Sequence, residues 1–312
     1  MSKKTLYLLG ILLTAIIGAI LNWLLCCPSG GEANIKTSSP IVAPVKAPVV
    51  TPEIPTITKN GLVFNDNTSD FNFRSNDNFN FNDSGFEIIK PISPNLDEGI
   101  GLLKSFFEKN QNKSIDVIGH YKSSEKNPSA FPNLGIARGN AVKNYLVGKG
   151  ISSKNINISS KLNNDLTPDN NIYYGPVNYN IITEANTDHS EELAKLRAEI
   201  IADPLIVHFK TADSNLNLDA AQRLKMQKIS TYIDKVDDGK VSVVGHTDSV
   251  GKITSNTKLG LERAKTVKGY LAQNGIDSNK IDASSQGPRK PIASNKTKAG
   301  RAKNRRVEVT LK

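Results

Sequence analysis

Three segments near the end of the chain carry charged and polar side chains that strand and helix formation alone do not require. Asp248 follows an apolar run, Arg263 lies inside a helical pattern, and Arg305 leads into an alternating strand. A carboxylate and a guanidinium held together match the ammonium and carboxylate of an amino-acid-like ligand. We therefore predict a pocket for a zwitterionic ligand. The three segments read VSVVGHTDSVG (241–251), NTKLGLERAKTVKGYL (256–271) and GRAKNRRVEVTLK (300–312).

Helical geometry supports this pocket. Asn256 and Arg263 are seven residues apart, so two helical turns place them on one face, ~10 Å apart along the axis. Strand 241–246 precedes this helix, and open α/β sheets usually place ligands at the carboxyl ends of their strands. The pocket is therefore expected where strand 241–246 ends.

The elements that position these residues occur twice in the chain. Strand, helix and second strand appear in the same order in both copies, which indicates an α/β fold with βαβ crossovers, an α+β sandwich. The first copy is predicted over residues 61–183 and the second over 203–312, with a linker helix at 184–202. The matching pairs are IDVIGH (115–120) with VSVVGH (241–246), LGIARGNAVKNYL (134–146) with LGLERAKTVKGYL (259–271), and GISSKNINISS (150–160) with GIDSNKIDASS (275–285).

The second copy contains clear local signals. Residues 205–209 predict a first strand, and Asp219 is a candidate cap for the helix that follows. A buried stripe at i, i+3 and i+7 is predicted for the next helix. A half-buried strand is predicted at the end of the chain, because Val307, Val309 and Leu311 alternate with polar residues. The stripe consists of Ala264, Val267 and Leu271.

GHTDSVG, NTKLGLERA and GRAKNRRVEV resemble motifs of the carboxy-terminal domain of outer membrane protein A, the OmpA-like domain. That resemblance implies non-covalent binding of peptidoglycan through the diaminopimelate residue of its stem peptide. It implies that Asp248 pairs with the ligand's ammonium and Arg263 with its carboxylate. Positions similar to Asn256 and Arg305 line the same pocket in the family. Thr247 and Asn304, which stand beside these residues in the motifs, complete the predicted site.

The first copy departs from the pattern. Lys122 replaces Asp248, whereas Arg138 aligns with Arg263. The Asn-Arg-Arg motif is absent, and the corresponding segment reads NIYYGPVNYNI (171–181). Two cations cannot bind an ammonium, so the first copy is not expected to bind diaminopimelate. It remains a candidate spacer, dimerisation surface or partner-binding module.

The amino-terminal segment predicts a single membrane-spanning helix. Residues 5–27 contain no charge and follow Lys3 and Lys4. About 20 apolar residues span a bilayer core, and the lysines favour a cytoplasmic amino terminus. The sequence favours an uncleaved anchor over residues 1–27, with the bulk of the chain in the periplasm of a Gram-negative cell. The alternative is an outer-membrane lipoprotein, with Cys26 or Cys27 lipidated; an intermolecular disulfide is also open.

A proline-rich linker follows the predicted anchor. Residues 28–60 contain six prolines among small and β-branched residues. Such segments favour extended polyproline II and could reach about 90 Å at ~3.1 Å per residue. This linker is predicted to hold the remaining chain away from the membrane.

The net charge of +10 lies in the second copy. Residues 241–312 hold 15 Lys and Arg against 5 Asp and Glu, whereas residues 1–240 hold 25 of each. A basic segment could bind an anionic polymer without a specific pocket. The alternative function is therefore an envelope scaffold, with the first copy as interaction module and only generic polyanion affinity. Partners left open are a second copy of the chain and another envelope protein.

Other function classes are disfavoured. The four histidines lack metal-ligand spacing, so no catalytic residue, metal or cofactor is predicted, and the protein is not expected to be an enzyme. Export and the lack of base-stacking aromatic residues argue against nucleic acid. An ion-driven motor subunit would need an acidic residue in its membrane helix, and residues 5–25 contain none.

Overall fold

The computed structural model describes residues 59–184, 189–209 and 216–312. The predicted anchor at 5–27 and nearly all of the proline-rich linker lie outside these ranges. Within them, no helix is both long and apolar enough to cross a membrane.

The first copy is built around a three-stranded sheet with the strand order β5-β4-β7. β4 runs parallel to β5 and antiparallel to β7. Two small antiparallel pairs, β1-β2 and β3-β6, accompany the sheet. The elements are β1 (Leu62–Asn65), β2 (Asn72–Ser75), β3 (Asn80–Asn82), α1 (Pro94–Lys109), β4 (Lys113–Tyr121), α2 (Leu134–Gly148), β5 (Ile156–Leu162), β6 (Ile172–Tyr174) and β7 (Val177–Thr183).

The second copy has a four-stranded sheet with the order β10-β9-β11-β8. β9 and β10 are parallel, and β11 is antiparallel to both β9 and β8. The β4-α2-β5 unit therefore recurs as β9-α5-β10, which confirms the mixed α/β class. The elements are α3 (Ser190–Ala202), β8 (Leu205–His208), α4 (Ala220–Lys235), β9 (Val241–His246), α5 (Ile253–Gln273), β10 (Ile281–Gly287), α6 (Lys298–Asn304) and β11 (Arg306–Leu311).

Local sequence signals were reliable in the second copy. Asp219 caps α4 through a capping box with Gln222. The predicted stripe on α5 is buried, since Ala264, Val267 and Leu271 face the core. The helix that carries Arg263 is thus fixed against the sheet by apolar packing.

Paired glycines bring strand and helix into direct backbone contact in both copies. A Cβ atom on Gly245 of β9 would collide with the backbone of Gly260 in α5, and Gly119 faces Gly135 in the same way. Only glycine permits this approach. The contact sets the distance from α5, and hence Arg263, to the end of β9.

The two copies share one hydrophobic cluster. Ala130, Phe131, Ile136 and Ala137 of the first copy belong to the same buried cluster as the core residues of the second. The first copy also has a cluster of its own, around α1 and β4. The segment that leads into α2 therefore packs into the core of the second copy.

Polar contacts also join the two copies at this interface. The Nζ atom of Lys143, a side chain in α2, lies 2.7 Å from the carboxylate of Asp234 in α4. Lys143 is almost fully buried. Asn274 accepts a hydrogen bond of 2.8 Å from the backbone N–H of Ala130. Because a buried charge is costly unless it is paired, these contacts favour one arrangement of the copies.

Asp66 should make the stability of the first copy depend on pH. Burial alone would raise the pKa of this carboxyl, but hydrogen bonds from Ser69, Lys113 and Thr68 outweigh it and lower the pKa to about 2. The unfolded chain has the ordinary value near 3.8. Stabilisation by Asp66, about 2 kcal/mol, is then present above pH 4 and is lost as the pH falls towards 2.

Urea unfolding of wild type and Asp66→Asn should show this pH dependence. The difference in unfolding free energy is expected to shrink between pH 4 and pH 2. A difference that stays constant over this range would contradict the assignment.

Candidate functional site

Asp248 lies in the loop that leaves the carboxyl end of β9. Its Oδ2 atom is 3.0 Å from Nη1 of Arg305, and its Oδ1 atom accepts a hydrogen bond of 3.1 Å from the N–H of Val250. The side chain is 14% exposed. A carboxylate oxygen accepts about two hydrogen bonds, so each oxygen retains capacity for an outside donor.

Arg263 projects from α5 beside this carboxylate. Its guanidinium carbon lies 5.6 Å from the ring centroid of Phe209, just after β8. Burial lowers the pKa of Arg263, the charge of Arg305 lowers it further, and Asp248 raises it. Asp248, Arg263 and Arg305 therefore form one electrostatic cluster.

Two guanidinium nitrogens of this cluster lack a partner within the described part of the chain. Nη1 of Arg263 and Nε of Arg305 are buried and have no hydrogen-bond partner among the described residues. A buried donor on a charged group is costly when it is left unpaired. A carboxylate has the charge and the acceptor atoms to satisfy both groups at once.

Asn256 and Thr247 hold the loop that carries Asp248. The Nδ2 atom of Asn256 donates to the carbonyl oxygen of Val250 at 2.9 Å. The N–H of Thr247 donates to the carbonyl of Gly287 at 3.0 Å, and its hydroxyl donates to the carbonyl of Asp248 at 2.9 Å. Both side chains are buried. These contacts give both residues a positioning role in the loop next to the cluster.

Asn304 makes hydrogen bonds with the loop between β10 and α6. Its Oδ1 atom accepts from the N–H groups of Ile292 and Ala293 at 2.8 and 3.0 Å. Its Nδ2 atom donates to the carbonyl of Ala293 at 2.8 Å and to Oδ1 of Asn295 at 2.9 Å. An asparagine amide offers two donors and accepts two hydrogen bonds, so all four positions are used. In the structure Asn304 therefore supports the loop between β10 and α6, whereas the motif predicted that it contacts the ligand.

Replacing Asn304 by alanine should destabilise this loop. The N–H groups of Ile292 and Ala293 would lose their acceptor. Because Ile292 is exposed and Ala293 is half-buried, the expected cost is about 1–3 kcal/mol of unfolding free energy in total. Urea unfolding measures the loss. Lys296→Ala, at an exposed position of the same loop, is the control and should change stability by less than about 0.5 kcal/mol. Equal stability of the two variants would contradict the bracing role.

Two further arginines of the last segment structure the loop. Nη1 of Arg301 donates to the carbonyl of Asn295 at 3.0 Å. Arg306 is buried, and its Nη2 atom lies 3.5 Å from Oε2 of Glu308. Burial lowers the pKa of Arg306.

His246 lies at the end of β9. Burial, together with the charge of Arg306 and then that of Lys290, lowers the pKa of His246 to about 4. His246 is therefore neutral near pH 7.

Comparison with known proteins supports the resemblance. The sequence profile of the OmpA family matches residues 80–172 and 208–305, one stretch in each copy and together more than half of the chain. The chain belongs to the OmpA family. The upstream match extends the family beyond the second copy, whose motifs carried the resemblance.

Each relative is longer than the segment that matches this chain. Outer membrane protein A of Bordetella avium is 43% identical over 89 residues, which is 28% of this chain and 46% of that protein. The peptidoglycan-binding protein ArfA of Mycobacterium tuberculosis is 37% identical over 86 residues, 28% of this chain and 26% of that protein. The chain thus spans less than half the length of these relatives.

Similar solved structures match about a third of the chain. The peptidoglycan-associated lipoprotein from Burkholderia pseudomallei is 25% identical, and the match covers 36% of this chain and 92% of that chain with a TM-score of 0.31. The cell wall anchor of the T6SS from Pseudomonas aeruginosa is 28% identical, and the match covers 38% of this chain and 94% of that chain with a TM-score of 0.28.

The first OmpA-family copy holds a different site. Arg138, which aligns with Arg263, is fully buried and forms an ion pair with Glu125, whose side chain is 1% exposed. The ammonium of Lys122 donates to the carbonyl of Leu166 at 2.8 Å. The prediction that only cations remain here was wrong, because Glu125 supplies a carboxylate. The only sequence signal was an acidic residue in the loop after β4.

The helix after that loop also starts later in the first copy. α5 begins six residues before Leu259, whereas α2 begins at the aligned Leu134. Pro128 and Pro132 interrupt the corresponding stretch, since proline disfavours a helical residue before it. Phe131, aligned with Asn256, consequently packs into the shared core.

Proposed function

We propose that this chain is a non-enzymatic cell-envelope protein that tethers a membrane to peptidoglycan. The second copy would bind the diaminopimelate residue of the stem peptide non-covalently. One observation carries the proposal: buried N–H groups of Arg263 and Arg305, which have no partner in the part of the chain that the structure describes, lie beside Asp248, whose oxygens retain acceptor capacity. Similarity to a relative named as peptidoglycan-binding supports the same ligand.

In this proposal the ligand carboxylate lies between Arg263 and Arg305, and the ligand ammonium lies on Asp248. The family resemblance assigned the carboxylate to Arg263; the unpaired Nε of Arg305 adds a second donor. Each charge-assisted hydrogen bond contributes about 1.5–3 kcal/mol, and the lower figure suits a site open to solvent. Asn256, Thr247 and Asn304 would act by positioning the loops.

Modest affinity at each site would be enough. Peptidoglycan is a polymer, and a chain held at a membrane meets many equivalent sites at high effective concentration. The proposed arrangement places residues 5–27 in the membrane with the amino terminus in the cytoplasm and the bulk of the chain in the periplasm. A lipid on Cys26 or Cys27 at the outer membrane is the alternative anchor.

A pull-down on purified sacculi that contain diaminopimelate tests the proposal. The variant Asp248→Ala with Arg263→Ala removes one negative and one positive charge, so the net charge stays at +10. We expect it to lose at least 90% of the bound fraction at subsaturating protein. Generic polyanion affinity would survive this change, because it follows net charge.

The matched control removes two exposed lysines outside the site. Lys258→Ala with Lys303→Ala lowers the net charge by two, and both positions are exposed. Peptidoglycan binding through the pocket should be retained within about twofold, since exposed charges contribute little. Strong loss in the lysine variant with full binding in the neutral variant would favour the generic polyanion function.

A further inference from the structure

The first copy carries a carboxylate of its own against the arginine that aligns with Arg263. Nη1 of Arg138 lies 3.2 Å from Oε2 of Glu125, and Nη2 binds Oε1. Both side chains are sealed from solvent, with Arg138 at 0% and Glu125 at 1% exposure. In the second copy, the aligned Arg263 has an unpaired Nη1.

Backbone groups complete a cradle around the Glu125 carboxylate. The N–H of Lys122 donates to Oε2 at 2.8 Å, and the N–H of Ser84 donates to Oε1 at 3.2 Å. With the two bonds from Arg138, four donors converge on one carboxylate. This number matches the acceptor capacity of an ionised carboxyl group.

Arg138 has contacts besides Glu125 that orient its guanidinium. Nε of Arg138 donates to the carbonyl of Gly85 at 3.0 Å, and Nη1 donates to the carbonyl of His120 at 2.9 Å. The rings of Phe81 and Tyr173 lie 5.6 and 5.1 Å from the guanidinium carbon. These contacts hold Arg138 in place from several sides. Removal of the Glu125 side chain should therefore leave an oriented guanidinium facing a cavity.

We propose that Glu125 is an internal ligand that fills a carboxylate-binding site, and that its removal exposes this site to small free monocarboxylates. The existence of the site follows from the contacts of Arg138 and Glu125 alone. Only its equivalence to the site of the second copy rests on the proposed function. An occupied cradle would keep the first copy from binding a carboxylate of peptidoglycan.

The latent site should not favour zwitterions. Lys122 stands where the second copy has Asp248, so no carboxylate is supplied at the aligned position for a ligand ammonium. Acetate is therefore the expected ligand, and glycine should bind more weakly because its ammonium lies near cations.

Chemical rescue of Glu125→Ala by acetate tests the proposal. The full-length chain is used with Asp248→Ala and Arg263→Ala present in every sample, so that acetate binding at the second site does not contribute. Thermal unfolding is followed in sodium acetate and in sodium chloride of equal ionic strength. Glu125→Ala should unfold at lower temperature, and acetate should raise its Tm saturably by about 3 °C or more relative to chloride.

Matched variants define the outcomes. Glu125→Gln fills the cavity, and Glu125→Ala with Arg138→Met removes the guanidinium, so neither should respond to acetate. If Glu125→Ala does not fold in chloride, refolding from urea in acetate should recover it. No acetate response in either assay, or equal responses in the Arg138→Met background, would overturn the proposal. The result is independent of peptidoglycan binding, because the second site is disabled throughout.

Discussion

Replacing Arg263 by alanine is expected to weaken the binding of a diaminopimelate-containing muropeptide by about 10- to 100-fold. The reason is the loss of a charge-assisted hydrogen bond from a guanidinium that is already oriented over Phe209. Nη1 of Arg263 has no hydrogen-bond partner within residues 59–184, 189–209 and 216–312, so binding breaks no bond from this atom to those residues. Isothermal titration calorimetry on the full-length chain measures the effect.

Two further variants separate charge from geometry. Lys258→Ala removes an exposed positive charge from the same helix and should bind within about twofold of wild type. Arg263→Lys keeps the charge but loses the planar fork and the stacking on Phe209, so its affinity should be intermediate. If Arg263→Ala and Lys258→Ala bind equally well, the site assignment is wrong.

Replacing Arg138 by methionine should destabilise the protein by about 3–5 kcal/mol, because it breaks a buried ion pair and leaves Glu125 charged without its partner. The carbonyl groups of Gly85 and His120 would lose a donor as well. Urea unfolding measures the change in unfolding free energy.

The partner variant shows where the cost arises. Adding Glu125→Gln to Arg138→Met removes the unpaired charge and should recover part of the loss, as a double-mutant cycle would report. Arg74→Met on the exposed face of β2 is the surface control and should stay within about 0.5 kcal/mol of wild type. A similarly small effect of Arg138→Met would contradict the buried pair.

Local patterns predicted the elements of the second copy because their causes are local. The cap at Asp219, the stripe that includes Val267 on α5 and the alternation around Val309 on β11 each depend on neighbours within a few positions. The order of these elements, together with the repeat, was enough to predict the βαβ units. The same order of elements also predicted that Asp248 and Arg263 lie close together.

Contacts between distant segments were not predictable in this way. The motifs predicted that Asp248 and Arg305 share a pocket, but not that they pair directly across 57 residues. The side chain of Asn304 supports the backbone of Ile292 and Ala293, although its motif suggested a ligand contact. The hydrogen-bond partners of a polar side chain depend on which loops meet in space, and one sequence does not specify that.

The first copy shows the same limit more sharply. Glu125 and Arg138 are 13 residues apart in a loop and a helix, with no periodic relation between them. Phe131 lies outside the matched segments of the repeat, and no local pattern indicated that it packs against the second copy. Sequence divergence predicted that the first copy does not bind the ligand, but only the structure shows that an internal carboxylate pairs with its arginine.

The most direct test of the proposed pocket compares two muropeptides that differ only at the diaminopimelate residue. In one this residue is present, and in the other lysine replaces it, which removes one carboxylate and keeps both amines. Titration calorimetry with the wild-type chain should show binding at least about tenfold weaker for the lysine peptide, because Arg263 and Arg305 lose their acceptor. Equal affinities for the two peptides would contradict a pocket built to bind that carboxylate.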